Sequence, residues 1–363
     1  MAPPPPNPCF KQITAPALST LSSVDMNQCT PEPHLALGGG RSLLPMCEML
    51  VRRSFEELSD LQANLRTLRV KGVPLGAEEF RGSAFSMTFP DFAVEIVRTS
   101  PALLFGAAEQ YRAGYLLLQK GSAGAKWDGR SVHERDVACL QPGSVCAASY
   151  PVPTAFAFVS AAAGSEESVF GCRLGPGAKA GLGIPVQRAP ARAHEQLFQI
   201  AVAAEQTDHS DPDSLPDQEW GRAVRASMLA ATRQLLQPEE RPPSSRRRAT
   251  GHQRVVRGAD EYLCANPMRP IYTEDLCKAL GASASALHEA FHNVFGISPH
   301  RYLKLRRMSL VRVALLSRSG PWASVKAAAL SNGFWHFGQF ARDYKETYGE
   351  LPSSTLARAR VAS

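Results

Sequence analysis

"LHEAFHNVFGISP" (residues 287–299) and "FARDYKETYGELP" (residues 340–352) lie over one another at one constant offset. Leu287 falls on Phe340, Phe291 on Tyr344, Phe295 on Tyr348, Gly296 on Gly349 and Pro299 on Pro352. Each copy sets large apolar side chains at i, i+4 and i+8, which is one face of a helix. Each then has a Gly able to close the helix in a left-handed conformation, and a Pro three residues on. A shorter apolar helix and a tight turn precede each copy. In the first these are "TEDLCKAL" and "GAS", with Thr273 as the expected N-cap; in the second, "ASVKAAAL" and "SNGF". Helix, tight turn and helix with one apolar face make a helix-turn-helix, here present twice.

The residues off the apolar stripes are the candidate reading groups. In "GFWHFGQF" (333–340), Gly333 permits the turn, and Phe334, Phe340 and Tyr344 anchor the second helix on its core. Trp335, His336, Gln339, Arg342 and Asp343 then lie off that stripe. Arg can pair bidentately with guanine and Gln with adenine. On the first copy Ser285, His288 and His292 occupy the corresponding side. Ser298 and Pro299 form a favoured N-cap and N1 pair, and the helix they start should run to about Leu316. At 1.5 Å per residue it spans about 27 Å, close to the roughly 34 Å between successive major-groove faces. Such a connector would set both helices into adjacent turns of one duplex. Its Arg301, Lys304, Arg306, Arg307 and Arg312 are candidates for phosphate contacts.

Charge supports a polyanionic partner. From residue 239 onward the chain holds 19 Lys+Arg and 10 Asp+Glu, net +9; the whole 363-residue chain is +7, so residues 1–238 carry −2. No apolar run is long enough for a membrane span, and the start, "MAPPPPNPCFKQ", lacks the pattern of a secretory signal. The eight cysteines form no CxxC, which suits free thiols in a reducing cytoplasm, although Cys139 and Cys146 could meet across a hairpin.

Residues 1–45, rich in Pro, Ser and Gly, read as a disordered tail. "RRSFEELSDLQANLRTL" (52–68) has apolar residues at helical spacing and reads as one amphipathic helix. Between residues 82 and 162, "SAFSMTF", "FAVEIVRT", "ALLFGAA", "GYLLLQKG", "DVACLQPGS" and "TAFAFVSA" are short apolar runs broken by turn residues, the texture of an antiparallel sandwich or barrel. Residues 164–190 read as connection. Helices follow at about 191–206 and 217–237; the second carries a stripe of Trp220, Val224, Met228, Ala231 and Leu235, which packs either on the body or on a second copy. The expected units are thus a tail (1–45), a β-domain (46–190), a helical dimerisation or packing segment (191–237), a linker (238–250) and an all-α unit (251–356).

"HEAFH" (288–292) matches the HExxH zinc motif, in which two His bind metal and Glu activates water. It lies inside the repeat, however, and its second copy reads "ARDYK", without ligands. Phe295 and Ser298 stand where a metzincin needs Gly and a third His. A zinc hydrolase is therefore the weaker reading, as is a non-specific nucleic-acid binder. No metal or cofactor is expected, and no catalytic residue.

Taken together, "DLCKALGASASALHEAFHNVFGISPHRYLKLRRM" and "VKAAALSNGFWHFGQFARDYKETYGELPSSTL" resemble the paired helix-turn-helix domain of AraC/XylS-type transcription regulators, over about residues 252–356. "GFWHFGQFARDY" is most similar to the branch containing the ethanolamine-utilisation regulator. The resemblance implies that Ser285, His288 and Glu289 of the first recognition helix, and His336, Gln339 and Arg342 of the second, occupy DNA-reading positions. Glu289 departs from the family, which often has a basic residue there. The implied fold is α+β: an N-terminal cupin-like antiparallel β-barrel sensor domain, then an all-α double helix-turn-helix DNA-binding domain. "DVACLQPGS" resembles the characteristic cupin turn, but the metal-ligand set of enzymatic cupins is missing, since only His133 occurs between residues 80 and 160. Phe105, Tyr115, Trp127 and Phe158 are the candidates for lining a small-molecule effector pocket. The implied partners are double-stranded DNA, an effector, RNA polymerase if the protein is an activator, and a second copy. Ethanolamine or cobalamin does not transfer from likeness in the DNA-binding half. Effector binding or dimerisation would reposition the reader through the 238–250 linker.

Overall fold

The computed structural model describes residues 49–76, 80–109, 111–119, 121–171, 184–206, 218–237, 246–267, 269–317 and 324–361. The expected tail (1–45) lies outside them, as do residues 238–245 of the expected linker.

Short runs of β-branched, aromatic and small apolar residues with turn punctuation pair as antiparallel strands. They form two sheets. One has seven strands in the order β1 (Met49–Phe55), β3 (Gly82–Thr88), β4 (Phe92–Thr99), β11 (Thr154–Ala162), β6 (Arg112–Leu118), β9 (Asp136–Leu140) and β12 (Val186–Arg188). The other has five, in the order β2 (Leu68–Pro74), β5 (Ala102–Ala108), β10 (Val145–Tyr150), β7 (Lys126–Trp127) and β8 (Arg130–Ser131). Among the described residues no ladder joins the sheets, so the architecture is an open pair of sheets rather than the closed barrel expected. Cys139 and Cys146 fall on different sheets and are free thiols.

The molecule stacks in four layers. Helices α3 (Ala191–Gln206) and α4 (Gln218–Leu235) cover the outer face of the seven-stranded sheet. Met228, Ala231 and Leu235 of the α4 stripe are buried there, and Trp220 and Val224 pack against the same cluster, so this stripe is used within the chain. Between the sheets lies a second core that includes Leu116, Trp127, Phe156 and Phe158. The outer face of the five-stranded sheet is covered by the C-terminal helices.

That last contact follows from strand alternation, in which neighbouring side chains point to opposite faces. On β2, Leu68 and Val70 point between the sheets, while Lys71 and Val73 point at the helices. On β5, Leu104 points in, and Leu103 and Phe105 point out. On β10, Cys146 and Ala148 point in, and Ala147 and Ser149 point out.

The helical unit comprises α5 (Arg246–Ala265), α6 (Thr273–Leu280), α7 (Ala284–Phe295), α8 (Pro299–Leu316), α9 (Val325–Ser331), α10 (Phe337–Tyr348) and α11 (Pro352–Val361). Helix α5 begins inside the expected linker, where "RRRA" supplies good helix formers. Thr273 is the first residue of α6, not its cap; Asp275 instead accepts from the Tyr272 N–H at 2.9 Å. The segment 52–68 is β1, a short helix α1 (Leu58–Asn64) and the first residue of β2. Pairing of Arg52 with Phe85 and of Leu68 with Ala108 fixes both ends as strand, and sheet pairing overrides the helical spacing. Residues 164–190, read as connection, also include a short helix α2 (Glu166–Phe170) and β12.

Gly333 shows why the second turn needs glycine. Its φ is +76°, and an added Cβ would sit 2.4 Å from the Tyr272 hydroxyl and 3.1 Å from an Arg307 nitrogen. Gly333→Ala is expected to lose about 1–3 kcal/mol from left-handed strain and crowding, read as a lower urea midpoint. An unchanged midpoint would contradict this account of the turn.

Candidate nucleic-acid interface

The two recognition helices are built alike. Helices α7 and α10 have 12 residues each and start and stop at equivalent places in the repeat. Each ends on a left-handed Gly, Gly296 (φ 78°) or Gly349 (φ 74°), whose N–H donates back to His292 or Lys345. Leu287, Phe291 and Phe295 are buried in one, and Phe340, Tyr344 and Tyr348 in the other. Helix α8 joins the units over 18 residues, with Ser298 capping through a bond from Arg301 N–H and Pro299 in its first turn.

With the apolar faces committed, the opposite faces are open. Ser285, His288, Glu289 and His292 are exposed on α7 and, with Ala284 and Asn293, line an open hollow of ≈ 520 Å³. The His288 and His292 rings lie parallel, 6.2 Å apart. On the second unit Trp335 is 70% exposed, and His336, Gln339 and Arg342 are exposed. Asp343 is withdrawn: it takes the Lys304 ammonium at 2.6 Å and accepts from Gln339 Nε2 at 3.0 Å. Spacing alone did not show this relay, in which Lys304 and Asp343 hold the Gln339 amide in one orientation and leave one of its two N–H bonds for a partner.

The connector's arginines divide. Arg301 is exposed. Arg306 and Arg307 correct the expectation of phosphate contact. Arg307 is 7% exposed, sandwiched between the Tyr272 and Phe334 rings at 4.7 and 4.9 Å, and donates to Gly333 C=O. Burial lowers its pKa, against the Tyr272 hydroxyl. Arg306 turns inward to donate to Leu263 C=O at 2.7 Å. Arg312 is also buried, in an ion cluster with Glu57 and Glu350.

The effector candidates do not converge. Phe105 faces the helical unit, edge-on to Phe295 and Tyr302. Tyr115 packs on Phe170 beneath α3 and α4. Trp127 and Phe158 are fully buried between the sheets, with the Trp127 N–H donating to the Tyr150 hydroxyl at 3.0 Å. The space between the sheets is a cavity of ≈ 20 Å³, room for about one water; its walls include Leu68, Leu104, Gly106, Cys146 and Phe156, and none of the four candidates. Strand parity could have sorted these residues by face, but not which face meets a ligand.

The β-sheet half touches both helix-turn-helix units. Phe105 meets the first edge-on. Lys71 donates to Asp260 at 2.7 Å and also lies against the Cys264 sulfur, and Ser149 donates to Phe295 C=O. Glu57 reaches the second through Arg312.

Residues 276–358 match a family profile described as a helix-turn-helix domain. A probable thc operon regulatory protein of Rhodococcus erythropolis is 36% identical over 102 residues, 28% of this chain and 31% of that protein. The XylDLEGF operon transcriptional activator 1 of Pseudomonas putida is 35% identical over 109 residues, 30% of this chain and 32% of that protein. Those matches span about a third of each relative's length. A solved structure of a probable AraC family transcriptional regulator from Rhodopseudomonas palustris is 42% identical across 29% of this chain and 97% of its own, with a TM-score of 0.27 that adds nothing to the identity. The C-terminal part of the chain is similar to AraC/XylS-type regulators. The match takes in most of α6 and all of α7 to α10. Among the described residues no group of His, Cys, Asp and Glu is placed to hold a metal, and no helix is long and apolar enough to cross a membrane.

Proposed function

We propose that this chain is a sequence-specific, DNA-binding regulator of transcription that acts as an activator. The observation that carries the reading is the pair of equivalent helices whose apolar sides are buried while His288, His292, Gln339 and Arg342 stand exposed. Arg342 and Gln339 are the base readers of the second unit, Trp335 and His336 flank them, and Ser285, His288, Glu289 and His292 serve the first. Arg301 contacts phosphate. The N-terminal half is a cupin-like sensor for a small-molecule effector. Its state reaches the reader through the docked five-stranded sheet, a route favoured over the 238–250 linker because Phe105, Lys71 and Glu57 already touch the helices. RNA polymerase and a second copy are the protein partners of this reading, and the cytoplasm its setting.

Arg342→Ala tests it. Binding to a duplex selected by the wild-type chain should weaken by about 10- to 100-fold, the worth of one bidentate base contact, with a much smaller loss on scrambled duplex. Equal loss on both would favour a non-specific binder.

A further inference from the structure

We propose that the first recognition helix grips DNA through imidazoles that take up protons on binding, so that this half of the reader is a phosphodiester site governed by pH. The proposal rests on the DNA-reading assignment above and adds the ionic state of the ligand site.

The two reading helices differ in one respect that the repeat does not suggest. Helix α10 carries Arg342 and Lys345, whereas α7 (ASALHEAFHNVF) has no Lys or Arg. Its only full charge is Glu289, which is exposed on the same open hollow as His288 and His292. With neutral imidazoles the face is −1 and repels phosphate. With both protonated it is +1. His252 of α5 adds to this, because its Nε2 lies 3.4 Å from Glu289. A proton there pairs with the carboxylate and removes the repulsion at its source.

Among the described residues neither the His288 nor the His292 imidazole has a hydrogen-bond or ion-pair partner; each meets the other's ring. A phosphate beside them favours the protonated imidazoles, which couples proton uptake to binding.

Among the described residues no Lys or Arg forms an ion pair with Glu289, whose partner is His252. On α5, Arg254 is exposed and Arg257 pairs with Glu261. On α6, Asp275 is held by Arg269 and the Tyr272 N–H, leaving Glu274 and Lys278 at the surface. Strand β10 contributes only the buried Cys146 and Tyr150. Lys126 of β7 lies at the far end of α7, 4.0 Å from where a side chain on Gly296 would begin. In the neighbouring hairpin, Asp128 is buried against the Ala147 and Ile184 N–H groups, and Arg130 is exposed. On α8, His300 and Arg301 are exposed, and Lys304 is bound to Asp343.

The test uses the full chain and a duplex selected by it from a random-sequence pool at about pH 6.5, near the point where a free imidazole changes charge. Anisotropy titrations at fixed ionic strength should show affinity rising about tenfold or more for each unit of pH lowered from about 7.5, because at least one proton is bound with the DNA. The double variant His288→Gln, His292→Gln keeps polar side chains but cannot titrate; it should bind with a nearly flat pH profile. Arg342→Ala should bind more weakly at every pH and keep the wild-type slope. Salt dependence gives a second readout: the wild type should release more counterions at about pH 6 than at about pH 8, and the double variant should not. A flat wild-type profile, or the same slope in the double variant, overturns the proposal. If selection yields no preferred duplex at any pH, the DNA-reading assignment fails first and takes the proposal with it.

Discussion

Arg312→Ala is expected to destabilise the chain by about 3–5 kcal/mol, because it removes the cation from a buried ion cluster and leaves the carboxylates behind. Arg312 is 6% exposed. It donates to both oxygens of Glu57 at 2.6 Å and to Glu350 at 2.9 Å, and its guanidinium lies 4.5 Å from the centre of the Tyr348 ring. The thermal midpoint should fall by roughly 10 °C. Arg358→Ala is the internal contrast. Arg358 touches Glu56, Glu57 and Glu350 but is far more exposed, and its loss should cost under about 1 kcal/mol. Arg312→Lys should recover only part of the loss, since an ammonium cannot present the two-pronged face to Glu57. Acid acts on the same cluster. Burial raises the Glu350 carboxyl, but the Thr355 hydroxyl and the Arg312 and Arg358 charges outweigh it, so its pKa lies below the ordinary glutamate value of 4.5. Its stabilising share is complete above that value and is lost as pH falls through the lower, folded-state one. Near-equal midpoints for Arg312→Ala and the wild type would refute the role given to the cluster.

Phe105→Ala should separate the two halves of the molecule. The ring lies edge-on to Phe295 at 5.3 Å and to Tyr302 at 6.4 Å, and Lys71 Nζ sits 5.6 Å from its centre. Truncating a buried Phe costs about 3–5 kcal/mol, and here the loss falls on the contact between sheet and helices. The wild type should melt in one calorimetric transition; the variant should show two, with the helical unit keeping its circular dichroism signal through the first. Lys71→Met should act in the same direction, because it strands Asp260, which burial already pushes toward the neutral acid and which Lys71 holds down. A single transition displaced as a whole would mean that Phe105 matters to the sheet's own packing and not to docking.

The reader was legible in the sequence because its information is local. Period, cap and breaker fix Ser298–Pro299 as a helix start and Gly296 and Gly349 as stops, and the structure places them so. Most β-runs were legible for the same reason; "FAVEIVRT" is β4 residue for residue. What failed depends on neighbours distant in the chain. The leucines at 58, 61, 65 and 68 share helical spacing, yet only residues 58–64 are helix, because Leu68 is claimed by a strand partner 40 positions on. Arg307 and Arg312 look like phosphate ligands on an Arg-rich helix. Nothing in their spacing shows that Tyr272, Phe334 and a glutamate from the other half close over them. The four aromatic effector candidates fall in three different cores, Phe105 in one, Tyr115 in a second, and Trp127 and Phe158 in a third, because strand faces meet different layers.

The alternation along β2, β5 and β10 leaves a partition one peptide thick between the sandwich interior and the C-terminal helices. Gly106 and Cys146 form part of its inner lining, and Phe105 and Ala147, their chain neighbours, press on the helices. A bulge raised on one side of such a diaphragm appears at once as a dent or a push on the other. News of a guest inside the sandwich would then cross by the bending of three strands, with no hinge, arm or tether required.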